Sequence, residues 1–287
     1  MPVRISVIIT TYNSELYIDR LINSIMKQEG IDSLFQVEFL IVDDCSTDST
    51  REKISGFGLE YLSTGKNSGG PNQGRNIGLE RATGEYVCIA DHDDEWKSDR
   101  VRKMLPFFDR THIVTSGFKT VDVSTGRTGV STCFKSDDAD HRYYARNVTF
   151  IDKLLRNKKS QNTYLGGIMF SATLRDIHFE SKFGMVDYDW LLRLFHQQDS
   201  IEVCEALYTR YVEGTNLSLN ETYRLNDYEY SIDSVAEYRH LYPAAVKKSI
   251  KRINGSLARY YFLIDRMPSS RKYFLRSEIN ILTCLYL

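Results

Sequence analysis

Three aspartates stand within four positions in the segment IADHDDEW, at residues 89–96. Asp91, Asp93 and Asp94 follow the apolar run GEYVCIA, which predicts a buried strand. Carboxylates crowded at a strand end repel one another and lose hydration, so a cation is needed to offset their charge. Mg²⁺ and Mn²⁺ prefer hard oxygen ligands, and when one or two carboxylates hold them they also bind substrate phosphates. The segment therefore predicts a divalent-metal site on Asp91 and Asp93 that receives a phosphate-bearing ligand.

The alternative for this segment is a solvated acidic turn in which Asp94 caps a helix that begins near Glu95 and Trp96. The sequence on either side of this segment favours a functional site over a solvated turn. Two further polar clusters, TTYN and DDCSTD, follow the apolar runs RISVIIT and VEFLIV, and helical patterns separate these runs. Alternating strands and helices predict a doubly wound, largely parallel α/β sheet, in which ligands bind beyond the carboxyl ends of the strands. The three clusters are expected at that one edge.

Composition narrows the class of protein. The chain has 287 residues, is 42% hydrophobic and 26% charged, and carries a formal net charge of −1, which gives no reason to expect a nucleic-acid partner. Five scattered cysteines without a CxxC pair argue against a disulfide framework and a zinc site and favour a reducing compartment. No signal-peptide pattern and no membrane-spanning apolar run are seen, so we expect a cytoplasmic protein.

Glycine motifs exclude two nucleotide-binding classes. GGPNQGRN, at residues 69–76, has the GxxxxG spacing of a P-loop but lacks the Lys and Ser/Thr that an ATPase needs for the γ-phosphate and Mg²⁺. No GxGxxG follows the first strand, which counts against a nicotinamide enzyme. A sugar nucleotidyltransferase would carry a glycine-rich, arginine-containing loop where this chain has VIITTYNSE. That class and a sugar-nucleotide-binding module without activity stay open as alternatives.

Four segments occur in a familiar order and spacing over roughly residues 3–215: SVIITTYN, FLIVDDCSTDST, NSGGPNQGRNIGLERATGEYVCIADHDDEW and VDYDWLLRL. The chain thereby resembles the GT-A fold family 2 glycosyltransferases, the inverting enzymes of bacterial surface polysaccharide, lipopolysaccharide and capsule synthesis. The resemblance implies a Rossmann-like, mostly parallel sheet flanked by helices. It also implies Mn²⁺- or Mg²⁺-dependent transfer from a nucleotide-diphosphosugar, with a UDP-sugar favoured, to a hydroxyl of a glycan or lipid-linked saccharide.

The resemblance also assigns the donor site. By its motifs, Thr10, Tyr12 and Asp44 line the nucleobase pocket, with Asp43 beside them. Arg75 matches the arginine of the segment that contacts the nucleotide. Asp91 and Asp93 match the DxD motif that meets the ribose and the metal-bound pyrophosphate.

The resemblance places the catalytic base at Asp187. Asp189 is a second acid nearby and Arg193 follows it, while Val186 replaces the family glutamate. Judged from the residues alone, Asp187 could instead be a first-turn acid of a helix over residues 188–198. Gly166 and Gly167 would permit close approach of the acceptor, although a strand bulge explains them equally well. The late loop RYVEGTNLS lacks the histidine that the family often has there.

Sequence character changes near residue 218, which predicts a catalytic domain over residues 1–218 and a helical extension over residues 219–287. The extension interleaves Lys and Arg with aromatic residues, and apolar residues recur at helical spacing from Ile250 to Ile264. One interpretation is peripheral contact with anionic lipid at the inner face of the membrane, where a lipid-linked acceptor would lie. The other is a helix packed on the catalytic domain with a solvated basic face.

Overall fold

A computed structural model describes residues 2–133, 140–157, 160–182, 184, 187–212 and 221–278. These ranges contain ten strands: β1 (Val3–Thr11), β2 (Phe35–Asp43), β3 (Tyr61–Ser63), β4 (Tyr86–Asp91), β5 (Glu95–Trp96), β6 (Ile113–Asp122), β7 (Thr128–Ser131), β8 (His141–Tyr144), β9 (Ile168–Ser171) and β10 (Ser200–Val212). They also contain nine α-helices: α1 (Ile18–Met26), α2 (Thr50–Gly56), α3 (Asn72–Arg81), α4 (Arg100–Met104), α5 (Val148–Leu154), α6 (Tyr188–Phe195), α7 (Glu221–Ala236), α8 (Pro243–Leu263) and α9 (Met267–Phe274). Short 3₁₀ helices occur at Leu105–Asp109, Leu165–Gly167 and Ala172–Leu174.

The strands form one mixed sheet in the order β3-β2-β1-β4-β9-β6-β10-β5, with β7 paired to β6 and β8 to β10. The pairs β2–β3, β1–β2 and β1–β4 are parallel, as the strand–helix alternation predicts. Strand β9 then joins β4 to β6 in antiparallel pairing on both sides. The predicted α/β sheet is confirmed, but it is parallel only in its first half and around β6–β10.

Side-chain alternation along β1 divides the apolar core into two layers. Ile5, Val7 and Ile9 belong to the layer that also contains the buried side chains of α1. Ile8 points to the other layer, together with Trp190 of α6. Because successive strand residues face opposite sides of a sheet, one apolar strand can support helices on both faces. The polar strand ends are thereby fixed at the edge of a well-packed sheet.

Residues after 220 pack on the second of these layers. Val235 of α7 and Val246 and Ile253 of α8 are fully or almost fully buried in the cluster that contains Trp190 and Phe150. The predicted division of the chain at residue 218 stays a prediction. Within the described ranges, no helix is both long enough and apolar enough to cross a bilayer.

The structure corrects the predicted helix after the acidic segment. Glu95 and Trp96 form β5, which pairs with Thr209 and Tyr208 of β10, and the next helix begins at Arg100. Asp94 is 2% exposed, so it is a buried residue below the turn and not a helix cap. The local cap pattern is overridden by pairing with a strand more than a hundred residues away. The sequence IEVCEALYTRYV, predicted as a strand pair, likewise belongs to the single strand β10.

The scattered cysteines argue against a disulfide framework, yet the described residues contain one disulfide. Cys133 and Cys204 are joined by a disulfide, with their Cα atoms 4.9 Å apart and a sequence separation of 71. Both side chains are buried, and the bond ties the segment after β7 to β10. Cysteine spacing alone could not reveal this pair, because it is brought together by the sheet. The cysteine pattern therefore no longer supports a reducing compartment.

Candidate active site

The acidic segment forms a tight turn at the end of β4. The Asp94 amide donates to the Asp91 carbonyl over 3.0 Å, and Arg20 of α1 donates from Nη2 to the Asp93 carbonyl over 2.6 Å. Burial, reinforced by the charge of Asp91, raises the pKa of Asp93. Burial and both neighbouring aspartates raise the pKa of Asp94 well above its ordinary value. The turn therefore holds closely spaced carboxylates whose full ionisation is opposed by their surroundings.

Arg75, which the resemblance assigns to a nucleotide contact, lies beside this turn. Its Nη2 is 2.9 Å from Oδ1 of Asp91, and its Nη1 donates to Asn72 Oδ1 over 3.1 Å. Arg75 is 3% exposed, and its Cζ lies 5.2 Å from the ring centroid of Phe179. Helix α3 thus fixes Arg75 in one orientation towards the end of β4.

The ends of β1 and β2 carry the residues predicted to surround the nucleobase. Thr10 is buried against α3, whereas Tyr12 is 46% exposed at the strand end. The Asp44 amide donates to the Thr11 carbonyl over 2.8 Å, which keeps the two strand ends together. The Asp44 carboxylate accepts from Ser68 N, Ser68 Oγ and Thr64 Oγ1 at 2.7–3.0 Å. Asp44 therefore holds the loop that precedes α3.

Asp43 has a different environment from the one expected of a ligand contact. It is fully buried and accepts from Thr11 Oγ1 over 3.0 Å, from Ser46 N over 3.0 Å and from Arg51 Nε over 2.6 Å. Burial opposes its ionisation, but the donors from Ser46, Arg51 and Thr11 outweigh it and hold the pKa of Asp43 below its ordinary value. Asp43 thus shapes the loop after β2 and exposes no carboxylate to a ligand.

Asp187 immediately precedes α6. Among the described residues its side chain makes no capping hydrogen bond to the helix, so the simple helix-cap alternative gains no support. Burial raises the pKa of Asp187, the charge of Asp91 adds to this effect, and Arg75 and Lys153 oppose it. A carboxylate with a raised pKa is better suited to accept a proton near neutral pH. Val186, the position of the family glutamate, lies outside the described residues.

Asp189 is committed to an ion pair within α6. Its carboxylate accepts from Arg193 Nε over 2.8 Å and from Arg193 Nη2, in an i,i+4 arrangement. Asp189 itself is 6% exposed. Trp190, Leu191 and Leu194 are buried in the core. The two acids of the VDYDW segment therefore have separate environments, and only Asp187 faces the cavity described below.

Gly166 and Gly167 lie in the 3₁₀ helix that leads into β9. A Cβ atom at Gly166 would be 2.4 Å from Oδ2 of Asp94, and one at Gly167 would be 3.1 Å from the Ser116 carbonyl oxygen. Neither glycine has a positive φ. Close packing below the acidic turn therefore explains Gly166 directly, while its predicted relation to the acceptor stays a prediction.

One cavity of about 400 Å³ brings together four of the predicted residues, Arg75, Asp91, Gly166 and Asp187. Thr10, Tyr12, Asp44 and Asp93 are not among its lining residues within the described chain. The remaining lining residues were not assigned to the site from the sequence: Asp94, Arg156, Tyr164, Leu165, Tyr208, Arg210, Tyr223, Asp227 and Tyr228. Two of them carried a sequence signal: Asp94 belongs to the acidic segment, and Arg210 opens the late-loop segment RYVEGTNLS, most of which lies outside the described residues.

The mixed sheet carries an acidic turn with its paired arginine and a separate carboxylate on one cavity, an arrangement that agrees with the GT-A class. The family model "Glycosyl transferase family 2" matches residues 6–178, more than half of the chain. The chain therefore belongs to glycosyl transferase family 2.

Individual relatives agree with this assignment. Over 113 residues the chain is 39% identical to the poly(ribitol-phosphate) beta-N-acetylglucosaminyltransferase TarS of Staphylococcus aureus, a match covering 38% of this chain and 19% of TarS. It is 26% identical over 275 residues to the GalNAc(5)-diNAcBac-PP-undecaprenol beta-1,3-glucosyltransferase of Campylobacter jejuni, covering 88% of this chain and 86% of that one. The first of these matches thus spans about a fifth of the relative's length.

Solved structures share the fold. TarS residues 1–349 in complex with UDP-GlcNAc superpose with a TM-score of 0.74 at 22% identity, covering 96% of this chain and 82% of that one. The mannosyltransferase PcManGT from Pyrobaculum calidifontis, in complex with GDP-Man and Mn²⁺, gives a TM-score of 0.57 at 15% identity. At these identities the likeness establishes a common GT-A architecture.

Proposed function

We propose that the chain is an inverting glycosyltransferase that moves a sugar from a nucleotide-diphosphosugar, with a UDP-sugar favoured, to a hydroxyl of a surface-glycan acceptor. One observation carries the proposal. Asp187, whose pKa is raised by burial, opens on the same cavity as Arg75 and Asp91 at the acidic turn. A base on one side and a diphosphate site on the other are the two groups that in-line displacement at an anomeric carbon requires.

In this mechanism Tyr12 and Asp44 hold the nucleobase at the ends of β1 and β2, and Arg75 orients the nucleotide against the acidic turn. Asp187 takes the proton from the acceptor hydroxyl as its oxygen attacks the anomeric carbon. The bond from that carbon to the β-phosphate oxygen breaks on the opposite face, so the configuration inverts. The transition state is oxocarbenium-like, by analogy with glycoside hydrolysis. Asp189, paired to Arg193, takes no part.

The acidic turn fits a divalent cation in its donor chemistry. Within the described residues there is no cluster of three or more His, Cys, Asp or Glu that would form an all-protein cage. Mg²⁺ and Mn²⁺ sites of transferases instead use one or two carboxylates and take further oxygens from the substrate phosphates. Asp93, with Asp91 assisting, would hold the ion. When bound, the ion would offset the charge of the departing diphosphate.

For the acceptor we propose a glycan or lipid-linked saccharide, with the protein at the cytoplasmic face of the membrane. Support comes from the Campylobacter relative, whose name contains a PP-undecaprenol carrier. Ile253 and Leu257 of α8 are buried, so the apolar stripe seen in the sequence packs inside the protein. Peripheral contact would instead use Leu263 and Leu275, which are 65% and 78% exposed among exposed basic residues.

The catalytic proposal is tested by donor turnover. The chain is incubated with UDP-, GDP- and dTDP-sugars and Mn²⁺, and release of nucleotide diphosphate is followed. We expect Asp187→Asn to lower turnover by about 10²- to 10⁴-fold, since it removes a general base, while nucleotide binding is kept. The matched control is Asp189→Asn in the same helix, which should retain turnover. Equal losses in both variants, or no turnover of any donor by the wild type, would refute the proposal.

Membrane contact has a separate test. The full chain is floated with vesicles that contain anionic lipid and with vesicles that lack it. A variant with Leu263 and Leu275 replaced by Ser should float less with the anionic vesicles and keep its donor turnover. Equal flotation of variant and wild type, or no difference between the vesicles, would contradict the membrane proposal and leave the catalytic one intact.

A further inference from the structure

Three arginines line the cavity, and they differ in what neutralises them. Arg75 is paired with Asp91 across 2.9 Å. Arg156 lies over the ring of Tyr188, with its Cζ 4.6 Å from the ring centroid, and donates to Ser231 Oγ over 3.2 Å. Arg210 has no carboxylate within ion-pair distance anywhere in the described part of the chain. Arg156 and Arg210 therefore differ from Arg75 in having no ion pair among the described residues. Their distance from the acidic turn indicates which of the two could bind a ligand there.

Arg210 is held near the acidic turn by a rigid strand. It lies on β10, where its backbone pairs with Thr120 of β6. Its Cζ is 5.1 Å from the ring centroid of Tyr164, which in turn packs edge-on against Phe118. Arg210 lines the same cavity as Asp91 and Asp94, and the preceding residue, Thr209, pairs with Glu95 directly after the acidic turn. Arg210 therefore lies within electrostatic reach of the turn.

Arg156 lies at the other end of the cavity. Its aromatic partner Tyr188 follows Asp187 in α6, and its hydrogen-bond acceptor Ser231 belongs to α7. The two arginines without an ion pair thus lie on different sides of one cavity. Arg210 is beside the acidic turn, and Arg156 is on the side formed by α6 and α7.

A diphosphate that enters the acidic end meets the carboxylates of Asp91 and Asp93. A divalent cation offsets part of that repulsion, and Arg75 is already shared with Asp91. An arginine can bind two phosphate oxygens at once through its planar guanidinium, which makes it a strong and oriented partner for a diphosphate. The charge that develops on the leaving group is best stabilised by a cation fixed in place before the reaction. Arg210 meets that requirement, because a strand and an aromatic ring hold it.

We propose that Arg210 binds the β-phosphate of the nucleotide-diphosphosugar and stabilises the nucleotide diphosphate as it departs. The inference rests on the proposed function and adds a catalytic residue to it. As the acceptor oxygen bonds to the anomeric carbon, the bond from that carbon to the β-phosphate oxygen breaks with both electrons on the oxygen. Arg210 receives this charge, while the acceptor proton goes to Asp187.

The test compares binding of UDP and UMP by calorimetry, with and without Mn²⁺. Because hydrogen bonds to charged groups contribute about 1.5–3 kcal/mol, Arg210→Gln should weaken UDP binding by about 10- to 100-fold and leave UMP binding within about twofold. Arg210→Lys should recover part of the loss, since it keeps the charge without the planar fork. Arg156→Gln is the matched control at the other end of the cavity and should bind UDP as the wild type does. If donor turnover selects GDP, the pair is GDP and GMP.

Two results would overturn the assignment of Arg210. The first is UDP affinity unchanged in Arg210→Gln. The second is an equal loss for UDP and UMP, which would indicate a general disturbance of the nucleotide site. In the supporting case, Arg210→Gln also lowers kcat of donor hydrolysis more than it raises KM. Failure of the wild type to bind any nucleotide diphosphate would instead refute the proposed function, and this inference with it.

Discussion

The contact between Gly166 and Asp94 gives a sharp test of how the acidic turn is supported. In Gly166→Ala the new Cβ would lie 2.4 Å from Asp94 Oδ2 and 3.1 Å from Tyr208 Cε2, where ordinary contact begins at 3.4 Å. The Asp94 carboxylate must therefore withdraw by about 1 Å, the difference between those two distances. Asp94 is 2% exposed and Tyr208 is also 2% exposed, so neither side chain has free space into which it can move. The strain must pass to the turn that carries Asp91 and Asp93.

The expected size follows from two opposing effects. Overpacking of a buried site costs about 1–3 kcal/mol. Replacing a glycine whose backbone conformation suits alanine recovers about 0.4–1 kcal/mol by restricting the unfolded chain. The net loss is about 1.3 kcal/mol at the middle of both ranges and about 2.6 kcal/mol at most, so Tm should fall by roughly 3–5 °C. Displacement of reacting groups by about 1 Å can cost 10²-fold in rate, so donor turnover should fall by up to about 100-fold.

The assays are thermal unfolding and release of nucleotide diphosphate from the donor. Gly167→Ala is the matched control, because its Cβ would be 3.1 Å from the Ser116 carbonyl oxygen and needs a shift of only a few tenths of an ångström. In an Asp94→Ala background the 2.4 Å clash with the carboxylate is absent and only the 3.1 Å contact with Tyr208 is left, so Gly166→Ala should cost less and the two substitutions should be non-additive. Wild-type Tm and turnover in Gly166→Ala, or full additivity with Asp94→Ala, would refute the packing argument.

Three further outcomes follow from the structure. Burial raises the pKa of Asp187 above 3.8, and a general base must be ionised to act. We therefore expect kcat to fall as the pH is lowered through this raised pKa, and Asp187→Asn to abolish this dependence on pH. An acid limb at the ordinary pKa of an aspartate would contradict the assignment. Asp43→Asn should lose about 1–3 kcal/mol by unpairing buried donors. Since the pKa of Asp43 is lowered in the folded protein, the stability due to its ionised form is present above about pH 4 and is lost as the pH falls below it. The difference in Tm between the wild type and Asp43→Asn should therefore shrink on acidification, and a constant difference would contradict this account. Truncation after residue 218 should expose the contacts of Val235 and Val246 with the core and give an unstable chain by circular dichroism, whereas a folded product that binds UDP would favour an independent domain.

Much of the site could be predicted because it lies at strand ends. An apolar run followed at once by polar residues predicts both the strand and the edge at which it stops, and β1, β2 and β4 follow this pattern. Parallel pairing then brings Thr11, Asp43 and Asp91 to one edge of the sheet. The pairing of Arg75 with Asp91 follows from the helix between the strands. These are local patterns joined by a regular topology.

The rest of the cavity could not be predicted because it depends on contacts between distant segments. Trp96 pairs with Tyr208, which lies 112 positions later and has no sequence pattern that marks it as a partner. Arg210 faces the cavity while the adjacent Tyr211 contacts Arg20, with its ring centroid 3.7 Å from the Arg20 Cζ. In a strand, that choice of side is set by the sheet register, and the register of β10 shifts twice. Local sequence motifs therefore indicate the chemistry of the site, whereas the register of the sheet determines which side chains face the cavity.

Aspartates in this site are sorted by their partners and not by their position in a motif. Asp43 and Asp189 belong to recognisable segments, yet each is paired with an arginine and buried away from the cavity. Asp93 and Asp187 have raised pKa values that arise chiefly from burial. A carboxylate of the second kind reduces its electrostatic cost when it binds a cation or a proton, which are the two events that sugar transfer supplies. The same reasoning distinguishes the arginines, because Arg75 is already paired whereas Arg210 keeps its charge for an incoming anion.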